Sequence, residues 1–198
     1  MKLPAIVSIL LATTAPAADL PKFAVGTPCV VIEPTLMGAA DRGFAPTNAK
    51  KTLLVPAEIR QFGPEIIPAT KLLASWPEYL KRAQKTSEKL LSSLVPEITR
   101  DANGIAQMAR YKSGHPLTAS LIIAPGLLKK FEKSLGDKLL VAVPDRYTLY
   151  LFPRSIGNFR QYGKMLTSAY QDATYPASIE LFELSDSGLK AVGSFLTE

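Results

Sequence analysis

The chain has 198 residues, 47% of them hydrophobic and 20% charged, and a formal net charge of +6. This length and composition are typical of one globular domain and exclude a chain that is disordered throughout. With one cysteine, Cys29, and one histidine, His115, an internal disulfide and the usual Cys/His zinc sites are excluded.

The N-terminus has the pattern of a secretory signal. Lys2 precedes the apolar stretch 3–12, and Ala15 and Ala17 fit an A-x-A cleavage site. The stretch is well short of the roughly 20 residues that span a bilayer. We therefore predict a signal peptide over residues 1–17. The mature chain is predicted to be exported, periplasmic or secreted, without a transmembrane segment.

The next segment, residues 18–70, is rich in proline. Seven prolines bar long helices and central strands there. We predict a Pro-rich N-terminal arm with short strands at 29–32 and 52–55. The remainder, residues 71–198, is predicted to form the main α+β domain.

That domain begins with a helix. Ser75 and Glu78 fit a capping box, apolar residues recur at three- and four-residue steps over 80–94, and Pro96 ends the pattern. The charged side chains fall mainly on the opposite side of this helix: Lys81, Arg82, Lys85, Glu88 and Lys89.

Turn signals then divide the chain into hairpins. The predicted elements, in chain order, are a hairpin over 97–111, a strand over 117–124, a helix over 125–135, a hairpin over 138–152, a helix over 156–170 and a hairpin over 178–195. The predicted fold class is α+β: a mainly antiparallel sheet built from hairpins, with two or three helices packed on one face.

Two segments carry a resemblance to a known family. The segment 118–121 (Thr-Ala-Ser-Leu) precedes a helix, and 140–146 (Leu-Val-Ala-Val-Pro-Asp-Arg) follows it. This arrangement resembles the YtpQ-like family of bacterial proteins of unknown function over about residues 75–192. The resemblance implies the same order of hairpin, helix and final strand pair, and it implies no activity.

Four residues are candidates for a ligand site. Asp145 and Arg146 lie at the predicted hairpin tip, where they present a carboxylate and a guanidinium; the alternative is ordinary turn chemistry. Arg154 continues a locally basic stretch. His115 is the one side chain expected to titrate near neutral pH, and it lies in a Gly-His-Pro turn.

The functional hypothesis is an exported non-catalytic module that binds a protein or an anionic envelope component. One alternative is a small extracytoplasmic hydrolase using His115, with Ser113 or Ser120, or using an Asp/Glu pair. Another is a structural element of an exported assembly. No cofactor and no metal are expected. Nucleic acid is not an expected partner, because a net charge of +6 is not extreme and DNA-binding faces usually need dense Lys/Arg stripes.

Overall fold

A computed structural model describes residues 20–35, 43–67, 72 and 75–196. The predicted signal peptide, residues 1–17, lies outside the described residues. The described part contains three α-helices: α1 (Trp76–Ser93), α2 (Leu127–Leu135) and α3 (Gly163–Gln171). It contains nine strands: β1 (Pro28–Pro34), β2 (Thr52–Arg60), β3 (Gly63–Ile66), β4 (Glu97–Arg100), β5 (Ala106–Lys112), β6 (Leu139–Asp145), β7 (Thr148–Pro153), β8 (Glu180–Ser185) and β9 (Gly188–Ser194).

The strands form two antiparallel sheets. One has the order β1-β2-β3 and the other the order β4-β5-β7-β6-β8-β9. The structure thus confirms the predicted α+β class, and the three predicted hairpins are β4–β5, β6–β7 and β8–β9. In the first, Asp101 Oδ1 accepts hydrogen bonds from the backbone N–H groups of Asn103 and Ile105, both at 2.9 Å. Gly104 adopts a φ of +79°, which favours glycine.

The six-stranded sheet carries helices on both faces. In β6, Val141 and Val143 pack into the main core with α1 and α2, whereas Leu140 and Ala142 pack with Leu166 of α3. Helices α1 and α2 therefore pack on one side of the sheet, as predicted, whereas α3 covers the opposite face. Successive side chains of a strand point to opposite faces of the sheet. Because β6 is apolar along most of its length, both of its faces must be packed against other elements.

The segment predicted as an N-terminal arm contains the three-stranded sheet, and its first two strands are part of the main core. The prediction that proline bars central strands there is wrong, because the central strand β2 contains Pro56. The outer edge of β1 is covered. Thr86 Oγ1 of α1 donates to the Pro28 carbonyl (2.7 Å), and Ser120 Oγ donates to the Val30 carbonyl. A covered edge of this kind does not offer its backbone to another chain.

The predicted strand over 117–124 is wrong. The structure has a 3₁₀ helix, Ala119–Ile123, with every side chain buried. A short run that is buried on all sides has no periodicity that distinguishes a strand from a helix. The predicted helix over 156–170 begins as a second 3₁₀ turn, Phe159–Tyr162, and continues as α3.

Helices α1 and α2 cap each other. Glu88 Oε2 accepts a hydrogen bond from the Gly126 backbone N–H (2.8 Å) at the start of α2. Lys130 Nζ donates to the Leu91 carbonyl (3.0 Å) and the Leu94 carbonyl (3.4 Å) at the end of α1. These bonds satisfy helix-terminal groups that lack partners within their own helix.

None of the helices in the described part of the chain is long and apolar enough to cross a bilayer.

Candidate functional site

Arg146 lies at the β6–β7 tip, where its guanidinium is held internally. Its Nη2 pairs with Glu33 Oε1 of β1, and its Cζ lies 5.1 Å from the centre of the Tyr175 ring. The Arg146 side chain is 19% exposed and that of Glu33 only 7%. Arg146 Nε is buried without a hydrogen-bond partner among the described residues. The pair therefore joins the two sheets and leaves little of the positive charge for an outside anion.

Asp145 shapes the same hairpin tip. Its Oδ1 accepts a hydrogen bond from the Tyr147 backbone N–H at 2.6 Å. This bond is the turn chemistry that the sequence offered as the alternative to ligand binding. A role of Asp145 in ligand binding stays a prediction.

Arg154 lies at the far end of β7 and does not join Arg146. Strand β7 runs from Thr148 to Pro153, which at about 3.3 Å per residue separates the two ends by roughly 17 Å. Arg154 Nε pairs with Glu183 Oε2 (2.7 Å), and Lys190 Nζ pairs with Glu183 Oε1 (2.9 Å). The hydrogen bonds from Lys190 and then Arg154 lower the pKa of Glu183.

His115 is a turn residue on the segment that precedes the first 3₁₀ helix. Its Nδ1 accepts a hydrogen bond from the Leu117 backbone N–H (3.2 Å), and its ring meets the Phe23 ring edge-on at 5.6 Å. Ala119 N donates to the Arg146 carbonyl (3.0 Å), so this segment lies against the β6–β7 tip. Two of the four predicted residues, Asp145 and Arg146, are therefore adjacent on one hairpin tip, His115 lies on the neighbouring segment, and Arg154 is remote.

The hydroxyls of the two serines considered as nucleophiles are hydrogen-bonded to groups other than the His115 imidazole. The hydroxyls of Ser113 and Thr118 share a hydrogen bond of 2.5 Å, and Ser120 donates to the Val30 carbonyl. Neither serine hydroxyl is hydrogen-bonded to the His115 imidazole among the described contacts. The geometry thus gives no Ser–His pair of the kind that nucleophilic catalysis uses.

Burial lowers the pKa of His115 below its ordinary value of 6.5. The unfolded chain therefore binds more protons near pH 6, and the stability present above about pH 6.5 is lost as the pH falls through the folded-state pKa. We expect the free energy of unfolding to drop between about pH 7.5 and about pH 5.5. In the variant His115→Asn, the side-chain amide oxygen can still accept the hydrogen bond from the Leu117 N–H, but the imidazole that titrates is gone. This drop in stability should therefore be smaller. Urea titrations across that range test this, and equal pH dependence in both proteins would contradict it.

Cys29 is a buried structural thiol. It is 1% exposed, and its Sγ donates to the Ala57 carbonyl at 3.2 Å. Burial raises the pKa of Cys29 to about 12, so the thiol is protonated at neutral pH and is a poor nucleophile.

Within the described ranges, no group of three His, Cys, Asp or Glu side chains is close enough together to hold a metal ion.

A groove of about 650 Å³ lies between α1, α2 and the β8–β9 turn. Its floor is apolar, and its charged lining consists of Lys129, Glu132, Asp137 and Asp186. None of the four predicted site residues lines it. Sequence reasoning missed this groove because its walls come from segments that are far apart in the chain.

The exposed face of α1 is strongly cationic. We call Lys81, Arg82, Lys85 and Lys89, all exposed, the α1 cationic face. The three lysines are spaced by four residues, so they follow one another along the helix at about 6 Å intervals. Within the described part of the chain, Lys81, Arg82 and Lys85 make no hydrogen bond and no ion pair. Lys89 Nζ lies 5.5 Å from the centre of the Phe23 ring.

The carboxylates of α1 are engaged in capping. Glu78 Oε2 accepts from the Ser75 backbone N–H (3.3 Å), and Glu88 accepts from Gly126. The helix therefore presents positive charge that its own acidic residues are not positioned to pair. The periodicity predicts that these lysines are exposed, but sequence reasoning assigned them no binding role.

Comparison with known proteins adds no relative: no protein-family model, no curated protein and no solved structure matches this chain. The resemblance to the YtpQ-like family therefore stays a prediction.

Proposed function

We propose that this protein is an exported, non-catalytic module that binds an anionic component of the cell envelope through the α1 cationic face. The observation that carries the proposal is the clustering of four exposed basic side chains on one helix face, three of which make no hydrogen bond and no ion pair within the described part of the chain. By contrast, five basic side chains elsewhere in the fold form ion pairs with carboxylates: Arg60, Arg110, Arg146, Arg154 and Lys190.

The α1 cationic face has an energetic cost that binding would relieve. Like charges four residues apart destabilise a helix by about 0.2–0.5 kcal/mol per pair, and Lys85 has such a neighbour on each side. An anionic surface or polymer converts this repulsion into attraction, at about 1 kcal/mol for each lysine close to it. The same positive charge would also speed the encounter.

The non-catalytic part of the proposal is supported by the contacts of the candidate nucleophiles. Ser113, Ser120 and Cys29 are each hydrogen-bonded to a group other than the His115 imidazole. The export part is supported by the N-terminal sequence. It predicts that the N-terminus of the protein purified from its native cells begins at residue 18 or 19, which mass spectrometry would determine.

Binding is tested with the purified protein and fluorescently labelled linear polyphosphate, a polyanion without an apolar part. We expect saturable binding at low salt, with a dissociation constant that rises at least about tenfold when the salt concentration is raised from about 50 to about 200 mM, as counterion release requires. Absence of binding at low salt would refute the proposal, and so would binding that salt leaves unchanged.

A further inference from the structure

The end of the three-stranded sheet nearest Lys89 exposes apolar side chains. Phe62, at the tip of the β2–β3 hairpin, is 96% exposed, and Val25 is 65% exposed. A single exposed apolar residue is ordinary, but two beside each other form a patch. We call Val25 and Phe62 the apolar tip.

Backbone hydrogen bonds bring the parts of the apolar tip together. Gly26 N donates to the Ile59 carbonyl (2.8 Å), and Ile59 N donates to the Thr27 carbonyl (3.0 Å). The turn that contains Val25 is therefore fixed beside Ile59 of β2, which lies three residues before Phe62. The hairpin loop itself is tight, because Arg60 pairs with Gly63 across it.

The apolar tip borders the α1 cationic face. Phe23, two residues before Val25, lies under the ammonium group of Lys89 at 5.5 Å. Exposed Lys22 precedes it and adds another positive charge. Cations next to exposed aromatic and aliphatic side chains are typical of surfaces that bind the interface of an anionic bilayer.

The charges on the β2–β3 hairpin do not supply this attraction. Arg60 pairs with Glu58 (3.0 Å) and Glu65 (3.7 Å), so the hairpin carries one guanidinium and two carboxylates. Electrostatic attraction must come from Lys22 and the α1 cationic face. The hairpin instead contributes the apolar side chain of Phe62.

We propose that the anionic component is the headgroup surface of a lipid bilayer, into which Phe62 and Val25 insert while Lys22, Lys85 and Lys89 lie over the headgroups. This inference rests on the proposed function and narrows it to one class of partner. Burial of Phe62 in the interface adds a contribution that salt does not screen.

The test compares Phe62→Ser with wild-type protein on two probes: vesicles of phosphatidylcholine with phosphatidylglycerol, and linear polyphosphate. We expect Phe62→Ser to lower vesicle partitioning at least about tenfold, because the transfer of a phenylalanine side chain is lost. Polyphosphate binding should stay unchanged. Ile105→Ser is the matched control, since Ile105 is exposed beside the β4–β5 turn, and it should partition like wild type.

A Phe62→Trp variant reports insertion directly. Its added tryptophan emission should shift to the blue with vesicles and be quenched by brominated lipid, while emission without vesicles stays that of an exposed indole. Vesicle binding by Phe62→Ser at the wild-type level would overturn the inference but leave the proposed function standing. Binding of polyphosphate without vesicles would also overturn the inference, and would favour a polymer or an acidic protein. Binding of neither probe would refute both proposals.

Discussion

Replacing Arg146 with methionine is expected to lower the free energy of unfolding by about 3–5 kcal/mol. Glu33, whose side chain is 7% exposed, would be left without its ion-pair partner. The contact of the guanidinium with Tyr175 would also be lost. Urea denaturation of the purified variant measures the change directly.

Arg154→Met is the matched control for this prediction. The Arg154 side chain is 51% exposed, and Lys190 would still pair with Glu183. We therefore expect a loss of only about 0–1 kcal/mol. The double variant Glu33→Gln/Arg146→Met, which removes both charges, should recover part of the stability lost in Arg146→Met. Equal losses in Arg146→Met and Arg154→Met would show that burial of the Glu33 pair has no energetic consequence.

Replacing Lys81, Lys85 and Lys89 together with glutamine is expected to weaken binding of polyphosphate about 100-fold. Each lysine close to an anionic surface contributes about 1 kcal/mol, and about 3 kcal/mol corresponds to roughly this factor. Removing the like-charge neighbours should leave the stability of α1 unchanged or slightly higher. Fluorescence anisotropy gives the affinity, and thermal unfolding checks the fold.

The control for this variant removes the same charge elsewhere. Lys133, Lys138 and Lys164 are exposed and lie outside α1, and their combined replacement with glutamine leaves the same net charge. We expect it to weaken binding only slightly. If both triple variants lost affinity equally, the ligand would be responding to total charge, and the α1 cationic face would have no special role.

The hairpins and α1 were predictable because their signals are local. The Asn103-Gly104 pair specifies a tight turn, and Glu78 reaches back to the Ser75 N–H as the capping-box pattern predicts. In contrast, α3 covers the second face of the sheet because β6 is apolar on both sides. Which helix covers which face depends on packing across the whole chain.

The partners of the candidate site residues could not be predicted in the same way. Arg146 and Arg154 belong to a stretch of sequence that is locally basic, but Glu33 comes from 113 residues away and Glu183 from 29 residues away. Conversely, α1 contains Glu88 among its lysines, which suggests local pairing. That carboxylate instead caps α2, 38 residues further on. In both cases long-range contacts decide which charges are free.

The most direct test of the α1 cationic face is an amide ¹H–¹⁵N NMR titration of the isotope-labelled protein with linear polyphosphate at low salt. We predict that the largest shift changes fall on residues 81–89 of α1 and weaken when salt is added. Changes concentrated at the β6–β7 tip around Arg146, or along the groove between α2 and the β8–β9 turn, would contradict the assignment of the binding surface to α1.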